Sequence, residues 1–312
     1  MKYFSTFSGI GAFEQAVKEL NLDWVCVGYS EIDKHAIKIY EKHFPNHKNF
    51  GDITKIDIQN LPDFNLIVGG SPCQDLSLAK KNREGLNGEK SGLFYKFLKI
   101  IQIKQPKYFL LENVNSMSSE NKNIITRLIG VPPVMINASI VSAQNRKRLF
   151  WCNWTINKPE DKKIFLKDIL QKDILQSNTL EEKIKHYINF NLKKKEKDII
   201  CIGLIPESIR QKGNYLPRER VISPDGKMRA LSCHISQNPY IKINDTIRKL
   251  TPIEFERLQC FPDNYTEGVS DSQRYKLLGN AMNVEVIKHI IKCFIERNNV
   301  ENIVHLDLSK II

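Results

Sequence analysis

The sequence lacks any long apolar run. No stretch of its 312 residues approaches the roughly 20 apolar residues that a membrane-spanning helix needs. Internal repeats and low-complexity segments are absent as well. The first residues already have the pattern of a β-strand, which leaves no room for a signal peptide. We therefore expect a cytoplasmic protein without a membrane partner.

Cysteine pairs are also missing. The seven cysteines include no CxxC pair, and none has the His/Cys spacing of a zinc site, so we expect no bound metal. An odd number of cysteines without a secretion signal indicates the reducing environment of the cytosol. A composition rich in lysine, isoleucine and asparagine favours a bacterial or phage source.

Acidic residues are too few to balance the basic ones. The chain has 47 Lys and Arg against 35 Asp and Glu, a formal net charge of +12, which predicts a polyanionic partner. Residues 151–250 hold 20 Lys and Arg against 12 Asp and Glu, so most of the excess lies there. A basic run such as residues 193–197 is often only a solvated surface. The aromatic residues beside it favour contact with nucleic acid.

The chain begins with the pattern of a strand, a glycine turn and a helix. Gly9 and Gly11 follow the opening apolar strand. Glycines at such a turn let a ligand approach the backbone, and the helix N-terminus presents unpaired N–H groups. A second strand ends at Glu31, about 20 residues beyond the turn, where nucleotide-binding folds hold ribose hydroxyls. Asp52 follows a third turn, although an ordinary βα turn with surface acids has the same pattern.

A proline-cysteine pair follows a further apolar strand. Residues 64–68 have the strand pattern, and glycines and Pro72 break it before Cys73. Cys73 should therefore lie on a loop at the carboxyl end of a strand, the edge where open α/β sheets bind ligands. It is a candidate nucleophile, although most free cysteines are small buried hydrophobic residues.

Charged residues end or follow two more strands. Glu112 ends the apolar run 108–111, where partial burial favours a raised pKa and proton donation; a capping or salt-bridged glutamate is the alternative. If the strand through residues 149–151 begins early, alternation places Gln144, Arg146 and Arg148 on one face. Three such donors suit an anionic or carbonyl-bearing ligand, and a solvated edge strand is the alternative.

Helix signals mark the last part of the chain. Thr251 is predicted as an N-cap, with Pro252 at the first helical position and Glu254 closing a capping box. Asn280 lies in a Gly-Asn-Ala segment. This segment leads into a predicted helix whose apolar residues, between 286 and 294, recur at helical spacing.

Six motifs in this order resemble those of the cytosine-5 DNA methyltransferases. They are F-x-G-x-G, P-C-Q, E-N-V, Q-x-R-x-R, R-x-L-T-P-x-E-x-x-R-L-Q-x-F-P and G-N-A, and they extend from residue 4 to about residue 295 around a variable stretch near 152–245. Some segments are also similar to the mammalian de novo enzymes. The resemblance implies a doubly wound, mostly parallel α/β sheet of the class I methyltransferase fold. A second, smaller and irregular target-recognition domain is implied as well.

The resemblance also implies an activity, the transfer of a methyl group from S-adenosylmethionine to C5 of a cytosine flipped out of double-stranded DNA. Cys73 matches the family's nucleophile, which adds to C6 of the base. Glu112 matches the acid at N3 and Arg148 the arginine at O2, with Arg146 ordering the thiol. Residues that match the family's cofactor contacts are Phe7, Gly9, Gly11, Glu31, Ile32, Asp52 and Asn280.

The expected domains follow from the chain length and the resemblance. Residues 1–150 and 279–298 are expected to form the catalytic and cofactor-binding domain of a monomer. Residues 151–265 are expected to form the target-recognition domain, 266–278 a returning hinge and 299–312 a tail. Segment 75–92 is expected to close over DNA. Residues expected to contact DNA are Gln74, Ser77, Lys81, Arg83, Arg210, Lys212, Arg218, Arg220, Lys227 and Arg229.

Three other functions stay open. A tRNA cytosine-5 methyltransferase of the same family typically carries a Cys-Phe-Thr signature, which this chain lacks. A DNA-binding relative without catalysis would have lost part of the catalytic set, which is intact here. An unrelated thiol hydrolase would need a histidine near the cysteine strand, but His35, His43 and His47 are distant in sequence.

Overall fold

The structure, a computed structural model, describes residues 1–72, 86, 88, 91–172, 194–196, 198–204 and 217–299. The chain divides into two compact units. The first holds residues 1–136, 147–158 and those from 286 onward, and the second holds residues 137–146 and 159–285. The domain limits expected from the sequence stay a prediction.

The described strands and helices are numbered in chain order. The strands are β1 (Lys2–Thr6), β2 (Val25–Ser30), β3 (Leu66–Gly70), β4 (Tyr108–Val114), β5 (Val134–Asn137), β6 (Gln144–Asn145), β7 (Lys147–Cys152), β8 (Lys194–Glu196), β9 (Ile199–Leu204), β10 (Arg220–Ile222), β11 (Met228–Arg229), β12 (Tyr240–Ile243) and β13 (Thr246–Arg248). The helices are α1 (Ala12–Glu19), α2 (Lys34–His43), α3 (Phe94–Lys104), α4 (Ser119–Ile129), α5 (Pro252–Leu258), α6 (Asp271–Asn280) and α7 (Val284–Asn299).

The first unit is built on a six-stranded sheet in the order β2-β1-β3-β4-β7-β5. Strands β2, β1, β3 and β4 run parallel, and β7 runs antiparallel to β4. Parallel neighbours joined through helices are typical of α/β proteins. The predicted α/β class with a mostly parallel sheet is confirmed.

Helices cover both faces of this sheet, because neighbouring residues of β1 point in opposite directions. Tyr3 packs on Phe13 of α1, with ring centroids 5.2 Å apart. Phe4 instead packs on Phe64 at 5.5 Å, in a buried cluster to which α3 and α4 also contribute. This two-sided burial explains why the strands read as apolar runs in the sequence.

Helix α7 confirms the predicted carboxyl-terminal helix of the first unit. Ile287, Ile290 and Phe294 are buried at the spacing of one helix face. The indole N–H of Trp154 donates to the carbonyl of Ile290 at 3.2 Å, and the Trp154 and Phe294 ring centroids lie 5.1 Å apart. The helix is thereby fixed to the segment that follows β7.

The second unit has its own sheet, in the order β13-β12-β10-β9-β8, and a short parallel pair of β11 with β6. The predicted capping box is confirmed, because Thr251 and Glu254 exchange hydrogen bonds at the start of α5. The buried carboxylate of Glu254 also accepts two bonds from Arg248, at 2.8 and 2.7 Å. Across the described ranges, no helix is long and apolar enough to cross a membrane.

Candidate cofactor site and active site

The glycine turn between β1 and α1 has an unusual backbone. Phe7, Gly9 and Gly11 all have positive φ values, of 50°, 56° and 83°. A Cβ on Gly11 would lie 2.8 Å from the ring of Phe44, so the close packing of this turn requires glycine. A Cβ on Gly9 would meet nothing within 4 Å. The turn is therefore closed on the Gly11 side and open beside Gly9, where a ligand can approach the backbone.

The carboxylate of Glu31 is bound to this turn. One oxygen accepts the backbone N–H of Gly9 at 2.8 Å. The other accepts the N–H groups of Ile32 and Asp33, at 2.8 and 2.9 Å. The side chain of Ile32 is 68% exposed, which gives an apolar surface next to the carboxylate. A fixed acceptor and an apolar surface suit a ribose joined to an aromatic base.

Asp52 provides a second carboxylate. Its Oδ1 accepts from the backbone N–H and the hydroxyl of Thr54, at 2.9 and 2.8 Å, and these bonds hold the pKa of Asp52 below its ordinary value. Asp52 is thus a charged acceptor at neutral pH. It suits a donor such as an exocyclic amino group.

Asn49 connects the two acidic segments, and the sequence analysis missed it. Its Oδ1 accepts from the backbone N–H of Glu31 at 3.3 Å and of Gly51 at 2.8 Å, and its Nδ2 donates to the carbonyl of Glu31 at 3.2 Å. The only local signal is an Asn two residues before a glycine, a common turn pattern. The link to Glu31 depends on the tertiary fold.

The expected cofactor suits this part of the first unit. Thr6 pairs with Ser30 of β2 and with Gly69 of β3, so the turn and Glu31 lie at the same carboxyl edge of the sheet. The Ser8 hydroxyl is buried there, and no described residue accepts or donates a hydrogen bond to it. Open backbone, two carboxylates and a spare hydroxyl suit a nucleoside that carries a polar tail.

Glu112 lies at the same edge, because it pairs with Gly70 in the register of β3 and β4. Its Oε1 is 2.8 Å from Nε of Arg148, and the two side chains are 13% and 18% exposed. Arg148 also donates to the carbonyl of Lys147 at 2.9 Å. The pair combines a carboxyl group with a fixed guanidinium at the mouth of the sheet. It is suited to a planar ligand with both acceptor and donor atoms.

Asn113 connects β4 with the residues that precede the Pro-Cys pair. Its side chain is fully buried and donates to the carbonyl and the hydroxyl of Ser71, at 3.2 and 3.0 Å. The position of Ser71 sets where the chain leaves β3, two residues before Cys73. Cys73 itself and four expected DNA contacts, Gln74, Ser77, Lys81 and Arg83, lie outside the described residues.

The strand expected to begin before residue 149 is interrupted at Arg146, and Arg148 does not share the buried surroundings of Gln144 and Arg146. Gln144 and Arg146 are buried, at 0% and 3% exposure. The Arg146 guanidinium donates to the carbonyls of Gly279 and Ala281, at 3.0 and 2.9 Å. Arg148 instead pairs with Glu112. Arg148 differs because it belongs to β7, which pairs with β4, whereas β6 pairs with β11.

Asn280 ends α6 in the second unit, and its side chain is exposed. Its Oδ1 accepts from the thiol of Cys233 at 2.9 Å. Gly279 packs on the same segment, since a Cβ there would lie 2.8 Å from the backbone of Cys233. The turn that carries Asn280 thus has a defined position within its unit.

The expected DNA contacts of the second unit differ in exposure. Arg218, Arg220 and Arg229 are partly exposed, whereas Arg210 and Lys212 lie outside the described residues. Lys227 is 4% exposed, and its ammonium donates to the carbonyls of Ser139 and Ser142. Burial lowers the pKa of Lys227. We therefore remove Lys227 from the expected contacts and assign it to holding the turn before β6.

Known proteins match both the sequence and the fold. Residues 1–296 match the profile of the C-5 cytosine-specific DNA methylases. The chain belongs to this family. The family prediction is thereby confirmed.

Individual relatives differ in how much of each protein is matched. The type II methyltransferase M.HpaII of Haemophilus parainfluenzae is 31% identical, over 95% of this chain and 89% of that protein. The orphan methyltransferase M.Rho11sI of Bacillus phage rho11s is 38% identical over 48% of this chain, and the match covers 32% of the phage protein. The matched segment thus spans about a third of that phage relative's length.

A solved structure agrees with the fold. The Entamoeba histolytica methyltransferase EhMeth superposes with a TM-score of 0.71, at 18% identity, over 96% of this chain and 98% of that one. At this identity the likeness concerns the fold alone. No described group of three or more His, Cys, Asp or Glu side chains is placed to hold a metal.

Proposed function

We propose that the protein is a DNA (cytosine-5) methyltransferase that uses S-adenosylmethionine and acts on a flipped-out cytosine in double-stranded DNA. The Glu112–Arg148 pair carries this proposal, since it lies at the carboxyl edge of β4 in register with the end of β3. The family match over residues 1–296 supports the same activity. The net charge of +12 supports a polyanionic substrate.

The proposed reaction begins at Cys73. Its thiolate forms a bond to C6 of cytosine, and the ring electrons move toward N3, where the Glu112 carboxyl group supplies a proton. Arg148 donates to O2 of the ring and orients Glu112 through their 2.8 Å contact. C5 is then nucleophilic. Methylation of C5 returns the N3 proton to Glu112, and loss of the C5 proton to water then expels the Cys73 thiolate and restores the aromatic ring.

S-adenosylmethionine, when bound, would supply the methyl group to C5 as an electrophile and would leave as S-adenosylhomocysteine. The proposed contacts in the first unit are Glu31 for the ribose hydroxyls, Ile32 for the adenine face and Asp52 for the adenine amino group. Phe7, Gly9 and Gly11 shape the turn beside them, and the Ser8 hydroxyl is available to the polar tail. Asn280 is the proposed contact in the second unit, near the methionine end.

The test is bisulfite sequencing of plasmid DNA from cells that express the protein, with Cys73→Ser as the inactive variant. Cys152→Ser is the matched control, because burial raises the pKa of that thiol to about 12 and leaves it protonated. Methylcytosine confined to one short sequence, present with Cys152→Ser and absent with Cys73→Ser, is the expected result. Unmodified DNA from folded protein would contradict the proposal, and methylation of RNA from the same cells would favour the tRNA branch.

A further inference from the structure

The last carbonyl groups of α6 are bound by side chains from outside the helix. Gln259 Nε2 donates to the carbonyl of Leu278 at 2.6 Å and to that of Ala281 at 3.1 Å. Arg146 donates to the carbonyls of Gly279 and Ala281. The last four carbonyls of a helix have no partner within it, and a cation there also complements the helix dipole. Three backbone carbonyls around Asn280 are thus fixed by two buried side chains.

The orientation of the Gln259 amide is itself determined by a directional chain of hydrogen bonds. The backbone N–H of Leu231 donates to Oε1 of Gln144 at 3.1 Å, and Nε2 of Gln144 donates to Oε1 of Gln259 at 3.3 Å. Since a backbone N–H can only donate, the atom of Gln144 that faces Leu231 must be the oxygen. The Gln144 nitrogen therefore faces Gln259, and the atom of Gln259 that accepts from it must be the oxygen. Nε2 of Gln259 must then face α6. Both glutamine side chains are fully buried.

Gln259 also fixes the start of the next helix. Its backbone carbonyl accepts from the N–H of Val284, the first residue of α7, at 3.0 Å. Next to it, the side chain of Asn283 donates to the carbonyl of Leu258 at 3.0 Å. The segment around Gln259 therefore holds both ends of the connection from α6 to α7. Asn280 is the member of this turn whose side chain is exposed.

We propose that Gln259 is a positioning residue that sets the direction of the Asn280 side chain, and that Gln144 extends this control to the backbone at Leu231. Leu231 lies two residues beyond Arg229, a proposed DNA contact in β11, the strand that pairs with β6. Within the second unit, the chain of amides thus connects the turn that carries Asn280 with the segment next to Arg229. This inference rests on the proposed function, because Asn280 is taken to bind S-adenosylmethionine.

The alternative is a buried glutamine that only stabilises the fold. The two roles differ in how Gln259 and Asn280 depend on each other. If Gln259 acts through Asn280, replacing Gln259 should not weaken cofactor binding further in a protein that already lacks the Asn280 carboxamide. If Gln259 only stabilises the fold, the effects of the two substitutions on cofactor binding are independent and add.

The experiment is a double-mutant cycle on S-adenosylmethionine binding to the full chain, measured by isothermal titration calorimetry. Gln259→Met and Asn280→Ala are each expected to raise Kd about tenfold, the effect of losing one or two hydrogen bonds. The double variant should bind no more weakly than the worse single one. In steady-state methylation, Gln259→Met should raise KM for the cofactor while kcat changes by less than about threefold.

One control and one substitute variant keep the outcomes distinct. Gln237→Met changes an exposed glutamine of the same unit and should leave Kd unaltered. If Gln259→Met does not fold, Gln259→Asn keeps a neutral amide but withdraws it from the two carbonyls, and the same cycle is run with it. Additive effects, or an unaltered Kd in the Gln259 variant, would overturn the inference while Asn280→Ala still weakens binding. An unaltered Kd for Asn280→Ala would instead overturn the proposed cofactor role.

Discussion

Replacement of Glu112 by glutamine separates the proposed chemistry from the stability of the fold. The glutamine keeps Oε1 as an acceptor for Nε of Arg148, so the 2.8 Å contact can persist without its charge. A hydrogen bond to a charged group is worth about 1.5–3 kcal/mol and a neutral one about 1, so the expected loss of stability is about 1 kcal/mol. For a chain of this size that lowers Tm by only about 2–4 °C.

The expected loss of activity is much larger. A positioned general acid contributes about 10²- to 10⁴-fold to a rate, which corresponds to roughly 3–5 kcal/mol at 1.36 kcal/mol per tenfold. Single-turnover methyl transfer to duplex DNA, with both substrates saturating, measures this step. Glutamine still accepts and donates hydrogen bonds but supplies no proton to N3. Substrate binding should therefore change little while the chemical step becomes at least about a hundredfold slower.

Glu120→Gln, on the exposed first turn of α4, is the matched control: it should keep the wild-type rate, and its Tm should fall no more than that of Glu112→Gln, because it removes only a helix-dipole interaction. Thermal denaturation of each variant shows whether the fold is intact. A Glu112→Gln protein that transfers methyl groups within about threefold of the wild-type rate would refute the assignment of Glu112 as the acid. A variant that loses both stability and binding would show that the pair is structural.

Two further substitutions test the cofactor turn and the helix behind it. Gly11→Ala places a Cβ 2.8 Å from the Phe44 ring at a φ of 83°, and it should cost about 1–3 kcal/mol in urea unfolding and weaken cofactor binding measured by calorimetry. Unaltered values would contradict the packing argument. Burial raises the pKa of Glu14 from 4.5 to about 7, so the folded state holds a proton that the unfolded state releases between these values. Stability should therefore fall as pH rises from 4.5 to about 7, and Glu14→Gln should remove that slope; equal slopes of unfolding free energy for the two proteins would refute the assignment.

The sequence predicted most of the fold where the signal was local. The strands of the first unit were visible as apolar runs because both faces of a mostly parallel sheet are buried. The capping box at Thr251 and Glu254 needs only residues three apart, and it was predicted correctly. The positions of the glycine turn and of Glu31 followed from the strand-turn-helix pattern. These features depend on near neighbours in the chain.

The predictions that failed depended on distant partners. Alternation from Gln144 to Arg148 assumed a continuous strand, but β6 pairs with β11, more than 80 residues later, whereas Arg148 belongs to β7, which pairs with β4. Lys227 had the composition of a DNA contact, yet it is buried under the turn before β6. The local signal at Asn49 indicated only a turn, because its partner Glu31 lies 18 residues away. In each case the contact that decides the outcome joins residues far apart in the sequence, which a helix or strand periodicity cannot predict.

Contacts between distant residues also explain why several residues of the six motifs do not face the proposed substrates. Gln144 and Arg146 belong to the Q-x-R-x-R motif, and Gln259 to the motif that begins at Arg248. All three bind one another or the backbone around Asn280. A buried amide or guanidinium that serves several carbonyls is costly to replace, since each lost donor leaves a carbonyl unsatisfied. Within the second unit, these motifs therefore maintain the geometry of the exposed residue, Asn280, that we propose to bind the cofactor.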